Sequence, residues 1–224
     1  MVFLFAALAA IILLPQLWVR LTIQRHAEDR PDLQGTGGEL ARHLLDRFGL
    51  KDVKVETTDR GDHYDPDTRT VRLLARHHDG QSLSAVAIAA HEVGHAIQHA
   101  RGDRWLALRQ RLAAFAMRTD RLAVVFFIAA PVLAGLARTP VAFFAVAAIG
   151  IALMAIRVVV DLVTLPVEFD ASFSKALPIL REGRYVDDGD MPAVKSVLRA
   201  AAFTYLAGAL IALVNLARWI RVLR

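Results

Sequence analysis

The sequence predicts a mostly α-helical membrane protein with a small polar part made of a helix, a β-hairpin and a second helix. Hydrophobic residues make up 55% of the 224 residues, above the roughly 45–50% of ordinary soluble domains. Charged residues still make up 22%, and they lie mostly outside the long apolar runs. The third observation is the stretch AAHEVGHAIQHA at 89–100, in which a glutamate follows the first of two histidines spaced four apart.

Four apolar runs predict four transmembrane helices, since about 20 residues cross a bilayer. The first is expected to be an uncleaved anchor, because it lacks the basic start and the small-residue cleavage site of a signal peptide. The second and third are separated by two residues and are expected to form a tight hairpin. The runs are Val2–Val19, Leu122–Ala137, Pro140–Val160 and Ala200–Ala217. The chain then divides into an anchor (1–20), a polar part (21–121), a membrane hairpin (122–160), a helical segment (161–199) and a last span with a basic tail (200–224).

The polar part begins with an amphipathic helix in GELARHLLDRFGL, in which apolar residues recur at helical spacing and Gly49 supplies the stop. DVKVET and TVRLL alternate apolar and polar residues, as half-buried strands do. DPDT between them is a turn signal, with Pro66 at a position that suits its fixed φ. We therefore expect a β-hairpin, followed by a long helix over SAVAIAAHEVGHAIQHARG that ends at Gly102.

The charges of the chain indicate where it resides. A net charge of +5 beside apolar runs is typical of cytoplasmic loops and anionic lipid, and not of nucleic-acid binding. Arginines follow the first run, and further lysines and arginines lie between the third and fourth. We therefore expect a multi-pass protein of a bacterial membrane with its catalytic part in the cytoplasm, although the basic C-terminal tail favours the opposite side. The chain has no cysteine, which excludes disulfides and thiolate metal ligands.

The histidine pair has the geometry of a metal site. On a helix, His91 and His95 lie one turn apart on the same face, so both imidazoles can reach one ion. Glu92 lies on the same side and is placed to act as a general base on a water molecule. The alternative is a pair of surface histidines on a basic helix. The small apolar residues before the motif oppose it, because they predict a buried helix, in which unpaired polar groups would be costly.

A third ligand must come from elsewhere. His99 lies too far along the helix, and Arg101 stands where the longer H-x-x-G-x-x-H pattern requires histidine. LPVEFDAS offers Glu168 and Asp170, of which only one can face the metal. Pro166 is expected to break or kink the third span, which would place Glu168 in the first turn of a new helix.

These stretches carry a resemblance to a known family. AAHEVGHAIQHA together with LPVEFDAS resembles the neutral zinc metallopeptidases of bacterial membranes, the YugP-like group. DHYDPDTRTVRL and AAFTYLAGAL extend the resemblance over nearly the whole chain. It implies a compact gluzincin-like catalytic core and a metalloendopeptidase that hydrolyses protein or peptide substrates, some of them membrane proteins.

The resemblance also implies the roles of single residues. One Zn²⁺ would be held by His91, His95 and Glu168, with Glu92 as the general base. Related enzymes often carry an aspartate four residues after the glutamate ligand, where it orients a ligand histidine. Here that position is Ser172, and Asp170 is a second candidate for such support.

Donors for the transition state are less defined by sequence. His63 and Tyr64 in DHYDP are candidates for oxyanion or substrate contacts, because the hairpin precedes the metal helix. The alternative is that they only flank a turn. An edge of the hairpin could also hold an extended peptide by strand addition.

Two other functions fit parts of the pattern. An intramembrane protease of the site-2 type would need its motif within a spanning helix and a later aspartate, such as Asp161, as third ligand. The apolar stretch 83–90 is too short for such a helix. A non-enzymatic membrane scaffold or chaperone subunit stabilised by zinc would keep the ligands without requiring Glu92.

Overall fold

The computed structural model describes residues 2–119 and 140–222, which are mostly helical and include one small sheet. The elements are α1 (Val2–Arg25), α2 (Gly37–Arg47), β1 (Lys54–Thr58), β2 (His63–Asp65), β3 (Thr70–Leu74), α3 (Ala75–His78), α4 (Leu83–Ala100), α5 (residues 104–119), α6 (Pro140–Phe169), a π-helical segment (Asp170–Ala176), α7 (Leu177–Glu182) and α8 (Met191–Val222).

The chain clusters into two compact units. One, the core unit, consists of Pro15–Ala107 and Leu165–Thr204. It contains the sheet, α2, α3, α4, the π-helical segment and α7. The second unit takes the rest of the chain, and its described residues are helical.

The first predicted helix of the polar part is confirmed as α2. Thr36 caps it, accepting a hydrogen bond from the Glu39 amide at 3.2 Å, and the Glu39 carboxylate accepts one from the Thr36 amide at 2.8 Å. Such a reciprocal capping box satisfies two amides that the helix itself leaves unpaired. Gly49, whose φ of 73° is costly for other residues, follows the end of the helix. Its apolar face, including Leu44 and Leu45, is fully buried in the core unit.

The predicted hairpin is wrong in its pairing. DVKVET and TVRLL do form strands, but β1 and β3 are parallel, with Val55 opposite Val71. The antiparallel partner of β3 is the three-residue strand β2, so the sheet order is β1-β3-β2. The reason is the length of the connection: residues 59–69 are too many for a tight turn and contain a strand of their own. The chain reverses first near Gly61, whose φ is 100°, and again after Asp65.

The turn between β2 and β3 was predicted correctly and is organised by Asp65. Its carboxylate accepts hydrogen bonds from the Thr68 hydroxyl at 2.8 Å and from the Arg72 guanidinium at 2.6 Å, together with two turn amides. Partial burial alone would raise the pKa of this carboxyl, but these donors outweigh it and lower the pKa to about 2.

The long helix α4 is confirmed, and it forms the centre of the core unit. Ser82 caps it by accepting a hydrogen bond from the Ala85 amide at 3.1 Å, and Gly102, with a φ of 65°, follows its end. Every residue from Leu83 to Gln98 is buried. Alanines and one glycine make up much of this stretch, so neighbouring backbones can approach α4 closely on several sides.

The prediction that Pro166 starts a new helix is wrong. α6 continues through Pro166, so Glu168 lies in its last turn and not in the first turn of another helix. The change of geometry comes four residues later, where the π-helical segment begins and the amide of Leu177 bonds to the carbonyl of Ser172. Val167 and Glu168 are almost fully buried, so packing in the core unit holds the helix through the proline. Wider turns of this kind are frequent at functional sites.

The predicted membrane helices lie only partly within the described residues. Among residues 2–119 and 140–222, one helical stretch, Met191–Leu210, is long and apolar enough to cross a membrane by length and composition. The expectation of four transmembrane helices is therefore not supported by the described residues. The run Leu122–Ala137 lies outside them.

Gly94, the fourth residue of the histidine motif, offers a test of the packing. A Cβ there would lie 2.8 Å from the backbone oxygen of Ala171 in the π-helical segment. Alanine normally favours a helix over glycine by about 1 kcal/mol. We expect Gly94→Ala to lower the free energy of unfolding by about 1–3 kcal/mol instead, because the backbones must separate. Thermal unfolding with a metal chelator present measures it.

The matched control is Gly189→Ala, since a Cβ at Gly189 meets no atom within 4 Å. Its stability should be unchanged or slightly increased. A Gly94→Ala protein more stable than the native chain would show that α4 and the π-helical segment do not approach as closely as described.

Candidate metal centre

Two imidazoles on α4 form one side of the site. His91 and His95 follow each other by one helical turn, and their ring centroids lie 4.7 Å apart with the planes at 79°. Both side chains are 5% exposed. The predicted placement of both rings on one helical face is therefore what the structure shows.

Glu168 forms the other side, reaching the histidines from the last turn of α6. Its Oε2 lies 3.1 Å from Nε2 of His91 and 3.3 Å from Nε2 of His95. One ligand atom from each residue lies within 4.8 Å of the other two. The structure thus brings together three residues that are 77 positions apart in sequence at the widest.

Ser172 determines which nitrogen of His91 carries the hydrogen. Its hydroxyl lies 3.1 Å from the carbonyl of Leu198 and 2.9 Å from Nδ1 of His91. The carbonyl can only accept, so the hydroxyl donates to Leu198 and accepts from Nδ1–H of His91. Nε2 of His91 therefore has no hydrogen and presents its lone pair to the site.

Gln98 determines in the same way which nitrogen of His95 carries the hydrogen. Its amide nitrogen donates to the carbonyl of Val167 at 2.9 Å and to the carboxylate of Asp170 at 2.7 Å. Its amide oxygen is thereby oriented to accept from Nδ1–H of His95 at 2.9 Å. Nε2 of His95 also presents a lone pair. Metal-binding histidines are commonly held in this way by a hydrogen bond at the other ring nitrogen.

The result is a buried group of three hydrogen-bond acceptors that face one another. Two bare imidazole nitrogens and a carboxylate oxygen repel each other unless a cation lies between them. Burial would raise the pKa of Glu168, and positive charge next to the carboxylate is needed to hold that pKa below its usual range. A divalent metal ion would supply this charge and would also satisfy both neutral rings. The donor set therefore fits a bound metal.

The chemistry of the three donors narrows the choice of metal. Two imidazoles and one carboxylate are a known ligand set of catalytic zinc sites, which leave a further position open for water or substrate. Calcium and magnesium prefer sites built from oxygen donors alone. His91, His95 and Glu168 thus fit zinc.

Glu92, the predicted general base, is buried on the same helix, directly after His91, with 6% of its surface exposed. Glu92 lies about 60° from His95 around the helix axis, and it is not one of the three converging residues. Its role as general base stays a prediction and belongs to the proposal below.

The two residues of β2 are held by partners of their own. Nδ1 of His63 donates to the carbonyl of Gly61 at 2.8 Å. The hydroxyl of Tyr64 lies 2.8 Å from Nδ1 of His99, two turns beyond His91 on α4. Burial raises the pKa of Tyr64, so this hydroxyl keeps its hydrogen. The expected oxyanion or substrate contacts of His63 and Tyr64 stay predictions.

Asp170 makes no hydrogen bond to either histidine of the site. It accepts from Gln98 and forms an ion pair with Lys175. Burial would raise the pKa of Asp170, but these two partners lower it. Asp170 therefore supports His95 indirectly, by orienting Gln98. In the sequence, Gln98 is noticed only because it stands where the H-x-x-G-x-x-H pattern has glycine. A signal was present: a glutamine three residues after a ligand on a buried helix needs polar partners.

The hydrogen bond between Ser172 and His91 leads to a prediction about zinc affinity. Ser172→Ala removes the acceptor for Nδ1–H, so the ring can turn or change tautomer. We expect zinc affinity to fall by about 10–100-fold, measured by competition with a chromogenic chelator. Thr204→Ala is the control, because it removes a hydroxyl that bonds only to a helix carbonyl, that of Ala200. Unchanged affinity in Ser172→Ala would show that another group fixes His91.

Comparison with known proteins places these observations in a family. The sequence profile described as "Putative neutral zinc metallopeptidase" matches residues 1–224. A protein of Bacillus subtilis (strain 168), named "Putative membrane protease YugP", is 36% identical over 229 residues, which cover 99% of this chain and 96% of the relative. No solved structure matches the chain. The protein belongs to this family of zinc metallopeptidases, as the resemblance of its two motifs had indicated.

Proposed function

We propose that the chain is a membrane-bound zinc metalloendopeptidase that hydrolyses peptide bonds in protein or peptide substrates. The observation that carries the proposal is the convergence of two bare imidazole nitrogens and a buried carboxylate beside Glu92. The family description and the name of the relative support the same reaction class.

In this proposal His91, His95 and Glu168 hold one zinc ion. Bound zinc would supply a Lewis acid that polarises the scissile carbonyl and makes water more acidic. Glu92 takes one proton from the attacking water, while the water oxygen forms a bond to the carbonyl carbon. The C–N bond then breaks, and Glu92 passes the proton to the leaving amine.

The surrounding residues keep the ligands in the protonation state that this requires. Ser172 and Gln98 hold the hydrogen of each imidazole on the nitrogen that faces away from the site. Asp170 orients Gln98. His63 and Tyr64 remain our candidates for contacts to the substrate or to the oxyanion, and His99 fixes the Tyr64 hydroxyl in one position.

For location, we propose a multi-pass protein of the bacterial cell membrane whose catalytic part lies in the cytoplasm. The apolar runs, the arginines after the first run and the name of the relative support it. The partners would be a polypeptide substrate and the lipid bilayer, with no role for nucleic acid. The compact gluzincin-like core would be joined to the helices that anchor it in the membrane.

Two alternatives keep part of this description. A zinc-stabilised scaffold or chaperone subunit needs the ligands but gives Glu92 no task, so a Glu92 variant separates it from an enzyme. A site-2-type intramembrane protease would use Asp161 as its third ligand. The converging group contains Glu168 and not Asp161, which favours our proposal.

The role of Glu92 can be tested without disturbing the ligands. Glu92→Gln keeps the shape of the side chain and removes the base, so about one zinc per chain should remain bound. We expect cleavage of any peptide that the native protein hydrolyses to fall by roughly 10²-fold or more. Peptide cleavage assays and metal analysis measure the two quantities separately.

The ligand variants provide the control. His91→Ala and Glu168→Ala should lose both zinc and activity. Activity of Glu92→Gln within a few-fold of native would exclude a hydrolase mechanism in which Glu92 is the base. Full zinc retention in Glu168→Ala, with loss in Asp161→Ala, would instead favour the intramembrane protease.

Membrane orientation makes a separate prediction. A reporter enzyme that works only in the cytoplasm should be active when fused within 21–121 and inactive when fused at Arg138, because basic residues favour the cytoplasmic side. A reporter that works only outside should give the reverse result. The opposite outcome in both assays would place the catalytic part outside the cell.

A further inference from the structure

The core unit carries a series of aromatic rings that touch one another across α1, α8 and the end of α6. Trp18 meets Phe203 with ring centroids 6.1 Å apart, Phe203 meets Phe169 at 5.4 Å, and Phe169 meets Phe173 at 5.6 Å. Trp18 is 42% exposed and Phe169 38% exposed. The rings therefore form a surface and not a closed core.

A fifth exposed aromatic residue, Trp105, lies on α5. Trp105 is 46% exposed, and the Arg104 guanidinium lies 5.8 Å from its ring centre. We call Trp18, Trp105, Phe169, Phe173 and Phe203 the aromatic band. Leu17 and Leu21 beside Trp18 are about half exposed, at 48% and 49%, which extends the apolar surface along α1.

Four of the five rings lie close to the ends of the two chain segments that form the core unit. The core unit begins at Pro15 on α1 and at Leu165 on α6, and it ends at Ala107 on α5 and at Thr204 on α8. Trp18, Trp105, Phe169 and Phe203 each lie within four residues of these limits. Four helices thus carry an aromatic ring at the point where each enters or leaves the core unit.

Positive charge accompanies the rings. Arg20, Arg104 and Arg199 are exposed, and each lies within four residues of the ring on its own helix. Neither α1 nor α8 contains an acidic residue. Aromatic rings next to arginines are typical of the boundary between a bilayer and the cytoplasm, where the rings lie among the headgroups and the cations meet anionic lipid.

We propose that the aromatic band lies in the headgroup region of an anionic membrane and sets the depth of the core unit there. A site for an apolar peptide would be a single groove. These rings are instead distributed over four helices, and an arginine lies beside the ring on three of them. The inference concerns a lipid surface and holds whether or not the protein is a peptidase.

The band has a consequence for the substrate, which rests on the proposed function. Glu168 directly precedes Phe169, and one helical residue advances the chain by about 1.5 Å. The metal centre is then level with the membrane surface. Its substrates would be polypeptides whose scissile bond lies close to the bilayer, such as the segment next to a transmembrane helix.

Depth-dependent fluorescence quenching tests the band directly. The chain has three tryptophans, Trp18, Trp105 and Trp219, so replacing two by phenylalanine leaves a single probe. The full chain is placed in nanodiscs of anionic and zwitterionic phospholipid. Lipids brominated near the headgroup should quench Trp18 and Trp105 more strongly than lipids brominated at the chain end.

The control is Phe48→Trp in a chain without native tryptophans, since Phe48 is an equally exposed ring on another part of the core unit, at 38%. Neither lipid should quench it. No quenching of Trp18 and Trp105, as expected if water or an apolar peptide covers them, would overturn the proposal. So would stronger quenching from the chain end, or equal quenching of the control.

The charge of the lipid gives a second readout. The quenching of Trp18 by anionic brominated lipid, divided by that from the zwitterionic form, should exceed one in the native chain. It should fall at least about twofold when Arg20, Arg104 and Arg199 become Gln. The same change at the exposed Arg47, Arg60 and Arg76 should leave it unaltered. An unchanged ratio in the first variant would contradict the anionic surface. Since neither readout uses hydrolysis, a failed peptidase assay would leave this result standing.

Discussion

The mutual repulsion of three buried acceptor atoms is the constraint on which the site depends. Oε2 of Glu168 lies within hydrogen-bonding distance of Nε2 of His91 and of Nε2 of His95, yet the hydrogen-bond network leaves no hydrogen to share among the three atoms. A cation removes the repulsion and makes the burial of the carboxylate tolerable. Metal binding therefore stabilises the packing of α6 on α4, and this packing in turn completes the metal site. The reason is that α4 supplies two of the ligands and α6 supplies the third.

The approach of these helices depends on backbone geometry more than on side-chain size. In the last turn of α6 the carbonyl of Val167 accepts from Gln98, and in the π-helical segment that follows the backbone oxygen of Ala171 faces α4 at Gly94. An ordinary helix would present side chains to its neighbour and would keep its carbonyls paired internally. The wider turns and the glycine of HEVGH thus act together, and they explain why a glycine is accommodated in the middle of a helix in spite of its low propensity.

Local patterns predicted local structure well. Gly49 and Gly102 were expected to stop α2 and α4, and they do lie just beyond the ends of these helices. Such signals are reliable because each depends on a few neighbouring residues. The parallel pairing of β1 and β3 was missed, since alternation shows which residues are buried but not which strand lies beside them. The helix through Pro166 was missed because packing outweighed the local cost of proline. Glu168 came from the family resemblance, and Gln98 was overlooked because its partners lie about 70 positions away.

The two histidines differ in how they are prepared for the metal. His95 is oriented by Gln98, three residues further on the same helix, so α4 alone supplies much of its geometry. His91 faces the 165–176 region with both ring nitrogens: Ser172 accepts the hydrogen of Nδ1, and Glu168 would share a metal ion with Nε2. Any displacement of that region removes the third ligand and releases His91 in one step, while His95 keeps its tautomer. The site therefore assembles only when the end of α6 packs on α4, and its most sensitive point is the contact between Gly94 and Ala171.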